Sequence, residues 1–183
     1  MKSVANRIAI RAVTDADLPA IDAIDFGTDL ELDWRYGGKV PAPNDRRARL
    51  WGPRVLFQQA IVTLPEQRCI GYGTLYDYDL RSQHAWVATA VETRRGANWA
   101  VLGVGLFIAA AFQEWPLRFV YAETNAANFE QFSSVVSSGV ATVVGTFPDR
   151  QRLPNGQTAD VFWLQISRDA WEGSSVAQYF ISP

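Results

Sequence analysis

The chain has 183 residues, 48% of them hydrophobic and 20% charged, which suits one domain with a substantial core and is too short for two comfortable ones. A net charge of −2 offers no basic surface to a nucleic-acid backbone, so nucleic acid is not an expected partner. The lone Cys69 excludes an internal disulfide, and the lone His84 cannot anchor a metal cluster, so no metal is expected. MKSVANRIAIR has no long apolar core ahead of a cleavage site, so no signal peptide is expected and the cytoplasm is the default location.

In chain order, Arg7 to Val13 alternates charged and apolar residues at the period of a half-buried strand. Thr14 opens T-D-A-D, a capping-box-like start in which Asp stands for the usual Glu or Gln. Leu18, Ile21 and Ile24 then share one face of a helix predicted to reach about Phe26. Gly27 to Pro53, with WRYGGKVPAP and NDRRARLW, reads as a long loop holding short helix. Val55 to Leu64, Arg68 to Tyr78 and His84 to Glu92 read as three strands, with Gly71 and Gly73 suggesting a bulge. A helix from about Asn98 to Trp115, a strand over Arg118 to Thr124 and a helix over Ala126 to Ser137 follow. Strands over Val140 to Phe147 and Ala159 to Ile166 close the chain, joined by PDRQRLPNGQT. The order is β-α-loop-β-β-β-α-β-α-β-β, a single mixed α/β domain.

The stretch RRGANWAVLGVGLFIAAAF, Arg94 to Phe112, raises the functional question. Its continuously apolar part runs from Trp99 to Phe112, shorter than the roughly 20 residues that span a bilayer, so no membrane partner is expected. Two readings stay open: a buried helix preceded by an ordinary loop, or an anion cradle. A helix start leaves four N–H groups without intrahelical partners and carries partial positive charge, to which Arg94 and Arg95 would add. Gly103-Val104-Gly105 lies inside the helix and lacks a third glycine, so it is no dinucleotide fingerprint, and no GxxxxGK[ST] exists.

Together the element order and three segments resemble the Gcn5-related N-acetyltransferase (GNAT) family, particularly its ribosomal-protein-acetylating RimJ/RimL-like branch. RGANWA, Arg95 to Ala100, is similar to the family's R-x-x-G-x-G/A loop, with Asn98 in place of the central glycine. FVYAETNAANFEQF looks like its strand ending in Glu, followed by N-x-x-S, with Asn128 where Ser is usual. VVGTFPDRQRLPNGQTADVFWLQISRDAW looks like its closing segment. The likeness covers about residues 7 to 172, leaving 173–183 as a C-terminal tail.

The resemblance implies an α/β fold with a mixed, mostly antiparallel central sheet flanked by helices. It also implies acetyl-CoA as co-substrate and a primary amine acceptor, on a small molecule or a protein N-terminus; a homodimer is left open. Donor binding would fall to Val91, Arg95, Gly96, Ala97, Asn98, Trp99, Ala100, Asn125 and Asn128. The family's carbonyl-oxygen donor, a backbone N–H on the strand before the loop, falls at Val91. Asn128 would face the leaving sulfur, and Glu123 would orient a water or the amine. Some members carry a Glu as base near the position of Ala85, where this chain has no acid.

His84 has a suitable intrinsic pKa for a base, with an ordinary hydrogen-bonded histidine as the alternative. Glu92 is a candidate against a solvated carboxylate, and Asp160 against a simple partner of an arginine. Trp34, Tyr36 and Tyr76 are candidates for the acceptor pocket, with Asp29, Glu31 and Asp33 attracting a cationic amine. Alternation puts Tyr76 and Tyr78 on one face of their strand, with Asp77 and Asp79 on the other. A non-catalytic binder of CoA or an acyl thioester, on the same fold, is the rival reading.

Overall fold

The computed structural model describes residues 2–4, 7–25, 54–92, 97–153 and 155–181. Within them, strands β1 (Lys2–Val4), β2 (Ile8–Ala12), β3 (Val55–Thr63), β4 (Cys69–Asp79), β5 (His84–Val91), β6 (Phe119–Asn125), β7 (Ala141–Arg152) and β8 (Thr158–Ser167) build one sheet. Its spatial order is β1-β2-β3-β4-β5-β6-β8-β7. Neighbours run antiparallel except β5 and β6, which are parallel and joined through the long helix α2 (Ala97–Glu114). The expected mixed, mostly antiparallel sheet flanked by helices is therefore what forms.

Period-two alternation divides the sheet into two faces. One lies under α2: Ile8, Ile10, Ile61 and Ile70 meet Leu106 and Ala110, and Leu75, Ala85, Val87 and Val120 meet Phe107, Ile108 and Ala111. The helix approaches closely where side chains are missing. A Cβ at Gly73 would lie 2.5 Å from the Phe107 ring, and one at Gly103 would lie 2.8 Å from Ile61. Gly103 and Gly105 are packing residues, consistent with the absence of a dinucleotide fingerprint.

The other face carries α1 (Leu18–Asp25), whose Ile21 packs on Ala9, Ala60, Val62, Cys69 and Tyr72. Asp17 anchors its start, accepting from Thr14 N and Thr14 Oγ1 at 2.8 Å each. Asp17 also accepts from Arg11 on β2 at 2.7 and 2.8 Å. The Arg11 guanidinium is the largest cause holding the Asp17 carboxyl at a pKa of about 2. The capping-box expectation thus holds, and the Asp does a second job that the motif does not contain.

Several features differ from the sequence reading, which contained neither β1 nor a helix after the last strand. The helix expected over Ala126 to Ser137 is broken into α3 (Ala126–Phe129), a 3-10 turn and α4 (Ser133–Ser137), before Gly139 at φ +75°. Strand β7 continues past Phe147 to Arg152 because a bulge with Asp149 at φ +52° absorbs Pro148. A second bulge, between Tyr76 and Asp79, ends the simple alternation of β4, so Asp77 and Asp79 do not form a shared face. The tail 173–183 contains a helix, α6 (Ser175–Ile181), which follows the short α5 (Arg168–Glu172). Ala177 is fully buried, and Phe180 stacks on Trp171 at 6.0 Å. The bulge suggested by the β4 glycines is present, since Ile61 pairs with Gly71 but Val62 with Cys69.

Candidate active site

The parallel strands part company. Their register runs from His84↔Phe119 to Val87↔Ala122 and stops there. Yet β5 stays paired to β4 as far as Gly71↔Val91, and β6 to β8 as far as Asn125↔Val161. The sheet is thus split between Ala88–Val91 and Glu123–Asn125, at the carboxyl ends of its parallel strands. Such an opening is where α/β sheets take ligands.

Backbone direction at the gap follows from the β4 side. Glu92 N donates to Ile70 O at 2.7 Å, and Ala90 O lies against Gly71. A trans peptide sets N–H and C=O on opposite sides, so the Val91 N–H and C=O both point away from β4, into the opening. Beyond β5, α2 begins at Ala97, and the N–H groups of Ala97, Asn98, Trp99 and Ala100 are the four without intrahelical acceptors. The Trp99 side chain packs against the Ile8–Ile61–Leu106 cluster, leaving only its backbone toward an anion. Arg95 and Gly96, like Trp34, Tyr36, Asp29, Glu31 and Asp33, lie outside the described residues.

On the β6 side, Asn125 is buried and its Oδ1 accepts from Asn128 N at 3.0 Å, capping α3. Asn128 is half-buried, its Oδ1 3.5 Å from Gln131 Nε2. The exposed Glu123 carboxylate accepts from Trp163 Nε1 at 2.8 Å, so an indole holds it in place. Glu123, Asn125 and Asn128 therefore gather along one lip of the opening, with Val91 on the other.

The remaining candidates scatter. His84 begins β5 at the end where the two parallel strands are still paired, roughly 20 Å along the strand from Val91, with its ring edge-on to Tyr121 at 5.7 Å. Glu92 is paired with Arg68 at 2.9 Å. Asp160 accepts from Asp149 N at 3.0 Å and closes the β7 bulge; its partner is a peptide and not an arginine. Asp77 pairs with Arg54 at 3.1 Å. Asp79 accepts from Ser82 Oγ and from Ser82 N and Arg81 N in the β4–β5 turn; chiefly the Ser82 hydroxyl lowers its pKa. Ala85 is fully buried under α2, so that position faces the core rather than the opening.

Tyr76 does join a group, one the sequence reading missed. Register aligns Tyr76, Trp86, Tyr121 and Gln165 across β4, β5, β6 and β8 on the face away from α2. The Trp86 ring lies 5.5 Å from that of Tyr121 and 5.0 Å from that of Trp163, and Gln165 Nε2 donates to the Tyr121 hydroxyl at 2.8 Å. The Phe147 ring lies tilted against that of Trp163 at 4.7 Å, with the Arg150 guanidinium 4.8 Å from the Phe147 ring. The signal for this row was the period-two spacing of Trp86 after His84, of Phe119, Tyr121 and Glu123, and of Trp163 and Gln165.

No family model matches the chain, and no curated protein matches it. Solved structures do. A GNAT-family acetyltransferase from Bacillus anthracis aligns over 92% of this chain and 98% of its own, with TM-score 0.69 and 14% identity. Spermidine N-acetyltransferase from Vibrio cholerae, in complex with CoA and spermine, aligns over 90% and 97%, with TM-score 0.75 and 13% identity. A Gcn5-related N-acetyltransferase from Kribbella flavida aligns over 88% and 98%, with TM-score 0.71 and 18% identity. A sheet opened between its parallel strands, with a long buried helix following the opening, is here the fold of the Gcn5-related N-acetyltransferases.

Proposed function

We propose that the protein transfers an acetyl group from acetyl-CoA to a primary amine, on a small molecule or a protein N-terminus. The observation that carries this reading is the opening between β5 and β6, with the Val91 N–H aimed into it and the free N–H groups of α2 beyond its lip. The likeness to a spermidine N-acetyltransferase supports an amine acceptor. The RimJ/RimL-like branch rests on the sequence motifs, and the cytoplasm is the expected setting.

In the proposed reaction, Arg95, Gly96 and the α2 start from Ala97 to Ala100 bind the CoA pyrophosphate. The amine nitrogen attacks the thioester carbonyl carbon, and its developing oxyanion takes the Val91 N–H. The new C–N bond forms as the C–S bond breaks, and CoA leaves as thiolate with Asn128 beside the sulfur. The amine proton passes to a water or to Glu123, whose carboxylate Trp163 holds at the lip. Asn125 fixes the turn that carries Asn128.

One alternative is a CoA-binding protein without efficient transfer, since this chain carries Asn98 in the loop and no acid near Ala85. Turnover of acetyl-CoA against a panel of amines, read as free thiol, separates the two. Release of thiol with any amine supports the enzyme. A rise in melting temperature with CoA, without thiol release, supports the binder. In an active enzyme, Glu123→Gln should cost about 10-fold or less if water takes the proton, and 10³-fold or more if Glu123 is the base.

A further inference from the structure

The face that carries Trp86 is built differently from every other part of the sheet. Among the described residues, α1 is the only helix on that face, and it packs over Ala60, Val62, Tyr72 and Ala90. Beyond it Tyr76, Trp86, Tyr121, Trp163 and Phe147 are half-buried, and the rings of Trp86, Tyr121, Trp163 and Phe147 pack on one another. In the next row toward the opening stand Gln58, Thr74 and Ala88 on β3, β4 and β5, then Glu123, Trp163 and Gly145 on β6, β8 and β7. Ala88 is small and adjoins the gap, so this face communicates with the opening.

Two chemistries converge there. Indole and phenol faces carry negative quadrupoles that attract cations and flat apolar groups. Arg150 already demonstrates the attraction, with its guanidinium 4.8 Å from the Phe147 ring and 5.8 Å from that of Trp163. The Glu123 carboxylate adds a full negative charge beside the rings, and its Oε2 is fixed by Trp163 Nε1. Gln58 Oε1, buried with no hydrogen-bond partner, is a further acceptor on this face.

We infer that Trp86, Tyr121, Trp163 and Glu123 form the acceptor site and select a cationic amine attached to a flat, aromatic body. The inference deepens the acetyl-transfer reading and rests on it for the direction of attack. Glu123 receives the ammonium, the rings hold the body, and deprotonation at Glu123 or its water delivers the free amine across Ala88 to the opening. Trp163 is a positioning residue, since it orients Glu123 as well as lending a ring.

Benzyltrimethylammonium, which cannot be acetylated, is the probe for calorimetry in the presence of CoA. It should bind the wild-type protein, while benzyl alcohol, lacking the charge, binds more weakly. Trp163→Leu and Glu123→Gln should each weaken the probe by roughly 5- to 30-fold, and Trp163→Phe, which keeps a ring, should recover part of that loss. The rise in melting temperature with CoA should persist in all three variants, reporting an intact fold and donor site. In steady-state assays phenethylamine should show a lower KM than hexylamine, and Trp163→Leu should remove the difference. No binding of the ammonium while CoA still binds, equal affinity in wild type and variants, or preference for hexylamine would each overturn the site. Ammonium binding that follows the variants without any CoA effect would instead leave the cation site standing and sink acetyl transfer.

Discussion

The two faces of the central sheet solve different problems. Under α2 the contacts are apolar, glycine-thinned and closed: Phe107 is fully buried, and the absent side chain of Gly73 leaves room for its ring. On the opposite face, α1 is fastened by the Arg11–Asp17 pair, and the area beyond it is aromatic, half-exposed and polar at its lip. Packing density decides the first face, where one methylene is felt. Directional groups decide the second, where Trp163 holds Glu123 and Gln165 holds the Tyr121 hydroxyl. A sheet that must open between β5 and β6 needs the first face rigid, and α2 packs there against Ala85, Val87 and Val120 of the two parallel strands.

The sharpest way to break that contrast is at Phe107. Phe107→Ala should cost about 3–5 kcal/mol of unfolding free energy in urea titrations, since a fully buried ring leaves a cavity under the helix. Equal cost for Trp163→Ala would erase the distinction between the faces.

Gly73 should follow. Gly73→Ala places a Cβ 2.5 to 2.8 Å from three Phe107 ring atoms and should cost about 1–3 kcal/mol. In a Phe107→Leu background the same change should be cheaper, and a double-mutant cycle measures the coupling. Additive costs would mean that the helix, and not the ring, gives way.

The anchor of α1 is electrostatic and so depends on pH. Asp17 has a folded pKa of about 2 against an ordinary 3.8, a depressed carboxylate, so its stabilisation is complete well above pH 4. That contribution is lost as pH falls from about 4 through 2. Asp17→Asn should cost about 1–2 kcal/mol at neutral pH and flatten the acid limb of the stability curve. An unchanged acid limb in the variant would assign the pH dependence elsewhere.

Glu123→Gln should have the smallest effect on the fold, within about 0.5 kcal/mol, because the carboxylate is exposed and amide oxygen can still accept from Trp163 Nε1. Its effect belongs to turnover and cation binding. A large loss of stability would make Glu123 a structural tie of the second face.

Much of this was legible along the chain. The strands over 55–63, 69–79 and 84–91 and the helix over 97–114 follow from local period and lie within two residues of the sequence reading. The capping box at Thr14 is equally local. The lip residues Glu123, Asn125 and Asn128 could be named because FVYAETNAANFEQF resembles the family's strand end and the turn after it. The aromatic row could not, because Tyr76, Trp86, Tyr121 and Trp163 come from four strands and become neighbours only through register. Alternation misread Asp77 and Asp79 because a bulge resets the period, and a bulge is set by the partner strand.

By itself, then, the sequence determined the strands over 55–63, 69–79 and 84–91, the helix over 97–114 and its apolar character, since backbone propensity and hydrophobic period act over a few residues. Tertiary structure alone decided where β5 and β6 stop pairing, which way the Val91 N–H points, and that Trp163 holds Glu123. Each of those depends on strands distant in the chain competing for the same backbone and side-chain hydrogen bonds, and that competition has no local signature.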